Sequence, residues 1–175
     1  FFREKKHFDF LNEKLLPDMI SSKEKSNNRK LRIWCAAASS GEEPYTLAMT
    51  VFNHIKPNNG WDVKILATDI STRILQKAIE GTYKMDLLKD IPSRITSSHF
   101  SKVSVDKTNY YRAKDHLKDI ITFRRFNLMT EKFPFKHPFD FIFCRNVMIY
   151  FDPQTQHTLV KKFYDCLPKN GHLFI

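Results

Sequence analysis

The sequence predicts an α/β fold: a doubly wound parallel sheet with right-handed crossovers and one small antiparallel insert. Three observations predict it. Short continuous apolar runs suit strands buried on both faces. Helical patterns alternate with those runs, as in βαβ units. The rhythm breaks once, between residues 82 and 118, where polar, β-branched and aromatic residues mix.

Taken in order, residues 31–38 form the first apolar run and the first buried strand. Residues 44–55 follow as a helix, with Leu47, Ala48, Val51, Phe52 and Ile55 at helical spacing and Pro44 suited to its first turn. Asn58, Asn59 and Gly60 read as a turn before a second strand over 63–70. Ser71 caps a helix carrying Ile74, Leu75, Ala78 and Ile79, which Gly81 stops. Phe100, Val103, Val105, Tyr110 and Tyr111 flank a turn at Asp106, Lys107, Thr108 and Asn109, the signature of a short antiparallel pair. Strands resume over 120–126 and 139–144. Pro153 then opens a helix through Leu159, Val160, Phe163 and Leu167, and Gly171 leads to a last strand.

The domain expectation is therefore a linker and helix over 1–30 and an α/β domain over 31–175, with its β insert at about 97–122. Both ends look cut, because the chain opens on Phe1-Phe2-Arg3-Glu4 and stops inside an apolar run. The chain reads as part of a longer protein.

Composition bounds the classes. With 175 residues, 42% hydrophobic and 27% charged, the chain makes about one globular domain. Sixteen Phe against four Gly excludes disordered and fibrous classes. No apolar run approaches the ~20 residues of a membrane span, and no signal-peptide pattern opens the chain. Cys35, Cys144 and Cys166 lack zinc-ligand spacing. Cys35 and Cys144, inside apolar runs, read as small core hydrophobes of a reducing, cytoplasmic compartment. The net charge of +10 invites a nucleic-acid partner, but no basic stripe interleaved with aromatics stands out, and lysine-rich loops or an acidic partner surface account for the charge instead.

In doubly wound sheets, ligands bind outside the carboxyl ends of the strands. The first such loop reads Ala36-Ala37-Ala38-Ser39-Ser40-Gly41-Glu42-Glu43-Pro44-Tyr45, neither GxGxxG nor a P-loop. Its two carboxylates would repel a pyrophosphate and suit an ammonium group, or they complement the dipole of the helix they open. Asp69 ends the second strand, where an acidic residue accepts from ribose hydroxyls; it reads equally as a helix cap. A ligand with adenosine, an amino-acid group and no phosphate fits both loops, and S-adenosylmethionine is such a ligand. Asn127 and Leu128 could frame an adenine, or form a plain turn. Arg145 and Asn146, directly after a buried strand, imply a polar cleft. Tyr150 either lines that cleft or joins the aromatic core with Phe151.

The segments RIWCAAASSGEEPYTLAM, ILATDISTRILQKAIEGTY and PFDFIFCRNVMIYFD, with the opening FFRE and the FNL turn, closely resemble the chemotaxis-receptor methyltransferases of the CheR family. The resemblance covers essentially the whole chain. It implies a Rossmann-like, S-adenosylmethionine-dependent methyltransferase sheet with a small antiparallel β insert. The implied activity is esterification of glutamate side chains on cytoplasmic helices of chemoreceptors, the methyl-accepting chemotaxis proteins, leaving S-adenosylhomocysteine.

Carried over by motif, the resemblance places Arg3 at the active-site mouth, as a catalytic and cofactor-binding residue, and Glu43 against the cofactor's amino group. Asp69 becomes the ribose acceptor, and Asn127 and Leu128 frame the adenine. Arg145 and Asn146 line the methionine and substrate end, and Tyr150 lies near the transferring methyl. Members of the family carry a small helical domain before FFRE, largely absent here, and continue past the last strand. In some members the insert docks a receptor tail peptide. No metal, nucleic acid or membrane insertion is implied.

The residue types suit that chemistry. A substrate glutamate, with a pKa of about 4.3, is already ionised at neutral pH, so carboxylate methylation needs no general base. The scattered histidines, none in a strand-end motif, agree with that. Opposite charges are lost on the way to the transition state, which a dry and well-oriented pocket favours. Two rivals share the fold. A nucleic-acid methyltransferase would draw on the positive charge. Amino-methylating enzymes of that type, however, carry an Asp/Asn-Pro-Pro-aromatic motif where this chain has Arg145-Asn146-Val147-Met148. The other is a non-catalytic cofactor-binding signalling module.

Overall fold

A computed structural model describes residues 1–56, 59–105 and 108–175. Asn58 of the first expected turn, and Asp106 and Lys107 of the second, lie outside the described residues. The chain opens with helix α1 (Lys5–Phe10), a π-helical stretch (Leu11–Leu15) and helix α2 (Leu16–Lys25). Strand β1 (Lys30–Cys35), helix α3 (Glu42–Phe52), strand β2 (Asp62–Asp69) and helix α4 (Thr72–Glu80) follow. Strand β3 (Thr82–Lys84), a 3-10 turn (Met85–Leu88), helix α5 (Ser93–His99), strands β4 (Phe100–Val105) and β5 (Thr108–Ala113) and helix α6 (Asp115–Lys118) make up the middle. Strand β6 (Ile121–Arg125), strand β7 (Phe141–Phe143), a 3-10 turn (Met148–Tyr150), helix α7 (Pro153–Tyr164) and strand β8 (His172–Phe174) complete the chain.

The main sheet runs β6-β2-β1-β7-β8, with every neighbouring pair parallel. From β1 the chain builds outward to β2 and β6, then returns to the other flank of β1 for β7 and β8. The order therefore reverses between β1 and β7, and that switch point opens a crevice at the carboxyl ends of the strands.

Side-chain alternation along β1 feeds two cores. Ile33 and Cys35 enter the cluster built with Phe8, Leu11, Leu47 and Phe143. Trp34 enters the cluster on the opposite face, with Phe133, Phe139, Leu159 and Phe163. Its indole N–H donates to Thr68 Oγ1 at 2.9 Å, so the largest buried side chain leaves no polar atom unpaired. Gly41, at φ 97°, opens α3. A Cβ there would stand 2.6 Å from the Tyr83 hydroxyl, so neither the backbone nor the space admits a side chain.

Several expected boundaries differ from the structure: the helix expected over 44–55 runs Glu42–Phe52, and the helix expected to reach Leu167 ends at Tyr164. β1 ends at Cys35 rather than at residue 38: Ala36 N–H makes the last ladder bond, to Phe143 O at 2.7 Å, and Ala38 N–H then crosses to Thr68 O at 2.8 Å, one residue out of the β1–β2 register. This crossing turns the chain into the crevice. The antiparallel sheet is ordered β3-β5-β4, so it begins upstream of the expected insert, at Thr82, and closes at Ala113. Ile121 and Thr122 belong to the main sheet, paired with Ile65 and Leu66. The short β3 has no alternation of its own and exists through its pairing with β5. The caps at Ser71 and Gly81 form as expected. All three thiols are buried. Among the described residues, no helix is long and apolar enough to cross a membrane.

Candidate functional site

A cavity of about 610 Å³ lies over the switch point, within the range of cofactor clefts. Arg3, Glu43, Asp69, Arg145, Asn146 and Tyr150 all line it. The loops after β1, β2 and β7 converge there with the segment before α1, which supplies Arg3.

Glu42 and Glu43 share the first turn of α3 but face differently. Glu42 accepts the Ser40 hydroxyl at 2.7 Å. Glu43 turns inward: its Oε1 accepts from the Cys35 thiol at 3.4 Å, and its Oε2 lies 3.1 Å from Arg145 Nη1. Burial pushes the Glu43 carboxyl above the ordinary range, against the lowering effect of the Arg145 charge and the thiol. Burial likewise pushes the Cys35 thiol well up, and the Cys144 thiol to about 12. Both stay protonated and neither is a nucleophile.

Arg145 is 4% exposed. Its Nη2 donates to Arg3 O at 2.5 Å, yet Nε and Nη1 have no aligned acceptor. The guanidinium also lies over the rings of Phe8 and Phe143, at 5.3 and 5.8 Å. Both nitrogens are shut off from solvent and Nη1 faces the Glu43 carboxylate, so Arg145 acts on the cavity it lines through its charge.

Asp69 spans two loops: Oδ2 accepts from Ser39 N–H at 3.0 Å and Oδ1 from Ser71 N–H at 2.9 Å. The helix cap proper is Ser71, whose hydroxyl accepts from Ile74 N–H. Asp69 therefore shapes the cleft floor rather than capping α4. Tyr150 is 78% exposed, so it stands at the rim and is no part of the aromatic core.

Asn127 and Leu128 are not among the cavity's lining residues. Asn127 Oδ1 accepts from Met129 N–H at 2.9 Å, and Leu128 is buried in the core that holds Trp34. They begin at the same end of the sheet, because Phe126 N–H donates to Asp69 O at 2.9 Å.

Sequence reasoning missed Phe1, Phe2, Thr46, Leu87 and Val147 as lining residues. It also missed Glu4, whose Oε1 accepts from Asn146 Nδ2 at 2.9 Å. Glu4 was quoted within the opening motif, but its role depends on a partner 142 positions away. Backbone strain gathers here as well. Phe2, Ser39 and Asn146 line the cavity, and each has positive φ, as does Glu4. Left-handed non-glycine residues cost on the order of 1 kcal/mol or more each, and they cluster at functional sites.

The arrangement offers the carboxylates of Glu42, Glu43 and Asp69 and one buried guanidinium around a cleft of cofactor size. It can hold a ligand that carries an ammonium, a carboxylate and vicinal hydroxyls.

Comparison with known proteins agrees. A chemotaxis protein methyltransferase from Borreliella burgdorferi is 47% identical over all of this chain and 61% of its own length. The Escherichia coli chemotaxis protein methyltransferase is 35% identical over 99% of this chain and 57% of its own. The chain thus spans about three fifths of the curated relatives it matches. Among solved structures, the glycopeptide N-methyltransferase MtfA with S-adenosylhomocysteine has a TM-score of 0.47 at 13% identity, covering 89% of this chain and 47% of its own. That likeness is too slight to carry weight. Residues 1–175 match the family described as CheR methyltransferase, SAM binding domain, and with the strand order and the strand-end cleft on the same footing, the chain belongs to that family.

Proposed function

We propose that this domain methylates glutamate side chains on the cytoplasmic helices of chemoreceptors, using S-adenosylmethionine. The observation that carries the proposal is the convergence of Glu43, Asp69 and Arg145 on one cavity at the switch point. The residues present fit that cofactor: the inward Glu43 carboxylate suits an ammonium, Asp69 suits ribose hydroxyls, and the Arg145 charge beside the cavity suits a carboxylate. Bound there, the cofactor supplies an electrophilic sulfonium methyl.

The chain's own residues bind and orient. Glu43 and Arg145 hold the amino-acid end, with Asn146 beside them. Asp69 holds the ribose. Asn127 and Leu128 meet the adenine, for which the Asn127 side chain exchanges its turn bond to Met129 for the base edge. Arg3, exposed at the mouth, holds the acceptor carboxylate, and Tyr150 at the rim limits its approach to the methyl. Neither is called on to transfer a proton, because the acceptor is already ionised. Orientation and exclusion of water supply the advantage. The protein works in the cytoplasm, and the antiparallel sheet is the place for a receptor tail peptide.

The test is a calorimetric titration with S-adenosylhomocysteine, then mass spectrometry for carboxyl methyl esters on a receptor cytoplasmic fragment. Saturable binding with new methyl esters is expected. Binding without esters would make the protein a non-catalytic module. A salt-sensitive complex with DNA or RNA that gains methyl groups would install the nucleic-acid reading instead.

A further inference from the structure

Arg3 stands at the mouth with its side chain exposed. Among the described residues its guanidinium forms no ion pair; Glu4, Glu43 and Arg145 pair among themselves. An exposed arginine with no partner of its own can be aimed only through its backbone. That backbone is gripped on both sides. Before it, Phe1 packs edge-on against Tyr83 and Phe100, with centroids at 5.0 and 5.6 Å, and Phe2 packs against Phe8 at 5.6 Å. At Arg3 itself, the carbonyl accepts from Arg145 Nη2 at 2.5 Å. After it comes Glu4.

Glu4 occupies the N-cap position of α1 but makes no capping bond with its side chain. The carboxylate lies 3.5 Å from His7 Nδ1 of the helix through Oε2, and it is clasped across the cleft by Asn146 Nδ2 at 2.9 Å and by Arg145 Nη2 at 3.4 Å. Both halves of the clasp are strained, with Glu4 and Asn146 each at φ 55°. A bulky left-handed residue persists only when its surroundings over-determine it. The Asn146 hydrogen bond and the Arg145 charge hold the Glu4 carboxyl below its ordinary range.

We infer that Glu4 is a positioning residue, whose clasp to Asn146 and Arg145 fixes the Arg3 backbone and so aims the Arg3 guanidinium at the acceptor carboxylate. The inference rests on the proposed methyl transfer and extends it to a residue that touches neither cofactor nor substrate.

The test is a double-mutant cycle in the full-length protein, reading kcat and KM for a receptor cytoplasmic fragment. Hydrogen exchange over residues 1–4 is followed in parallel, with S-adenosylhomocysteine bound. Glu4→Ala is expected to lower kcat about tenfold, the scale of one charge-assisted hydrogen bond, and to speed exchange in the strap. Glu4→Gln, which can still accept from Asn146, recovers most of the rate. Once Arg3 is already alanine, Glu4→Ala should cost less than about twofold, because its effect passes through Arg3. Asn146→Ala breaks the same clasp from the other side and should also speed exchange, which covers the case of a Glu4→Ala protein that fails to fold. Fully additive losses, or unchanged exchange in both clasp variants, overturn the inference. If the wild-type protein methylates nothing, the methyl-transfer reading falls, and the exchange arm alone decides for or against the clasp.

Discussion

Glu43 Oε2 and Arg145 Nη1 sit 3.1 Å apart in the cleft without an aligned hydrogen bond between them. The pair is held by charge, and burial works against the carboxylate half. A carboxyl raised by burial takes up its proton at a higher pH than the roughly 4.3 of a free glutamate. An ammonium ligand binds the ionised form, so affinity for S-adenosylhomocysteine should be level at neutral pH. It should then decline as the pH is lowered, starting above the pH at which a free glutamate protonates. Glu43→Gln should bind weakly at every pH, without that decline. Calorimetry between pH 5 and 8 checks both, and a wild-type profile as flat as the variant's would remove Glu43 from the ammonium site.

Asp69→Ala is expected to weaken S-adenosylhomocysteine binding by about 1.5 to 3 kcal/mol, the scale of hydrogen bonds to a charged group. The variant also frees the Ser39 and Ser71 N–H groups that Asp69 now accepts. A modest loss of Tm should therefore accompany the weaker binding. Wild-type affinity in this variant would cancel the ribose assignment.

Arg3→Ala should reduce kcat at least tenfold while changing the dissociation constant for S-adenosylhomocysteine by no more than a factor of about three. The exposed position of Arg3 argues for substrate rather than cofactor. Parallel steady-state kinetics and calorimetry separate the two, and an unchanged kcat would exclude the residue from the chemistry.

Far from the cleft, His99 Nδ1 and His116 Nε2 lie 2.9 Å apart, close to Phe52. Burial, then the neighbouring His116 and Lys114, push His99 down to about 4. Burial and Lys114 lower His116 as well, against the opposing charges of Asp119 and Asp115. A histidine with a depressed folded pKa binds more protons unfolded than folded between the two values, so stability rises with pH across that interval. The contribution is complete above the unfolded value near 6.5 and is lost as the pH falls toward 4. Thermal melts from pH 4 to 7 should show that slope, and His99→Phe should flatten it. An unchanged slope in the variant would assign the acid sensitivity elsewhere.

The parallel sheet was legible because its strands are buried on both faces, which writes uninterrupted apolar runs such as Ile33-Trp34-Cys35. The helix ends at Ser71 and Gly81 were legible because caps are local chemistry. The antiparallel sheet was half legible. Its hairpin alternates visibly, whereas Thr82–Lys84 becomes a strand only by finding β5 some thirty residues on. In the site, Glu43, Asp69 and Arg145 could be read because strand-end loops are where such sheets bind. Glu4 and Phe2 could not, since no local pattern tells that the segment before the first helix crosses the mouth. The orientation of Tyr150 was undecided for a similar reason. An aromatic after an apolar run packs inward or stands at a rim according to a turn, here the 3-10 turn Met148–Tyr150, that sequence does not mark.

The three sequestered thiols give the domain a built-in clock for its own opening. Cys35 ends β1 in one core, while Cys144, after β7, and Cys166, beyond α7, both lie in the other. An alkylating reagent therefore finds none of them until the sheet or its covering helices part. Pulsed labelling read by mass would time the breathing of each layer separately, with no probe introduced into the chain.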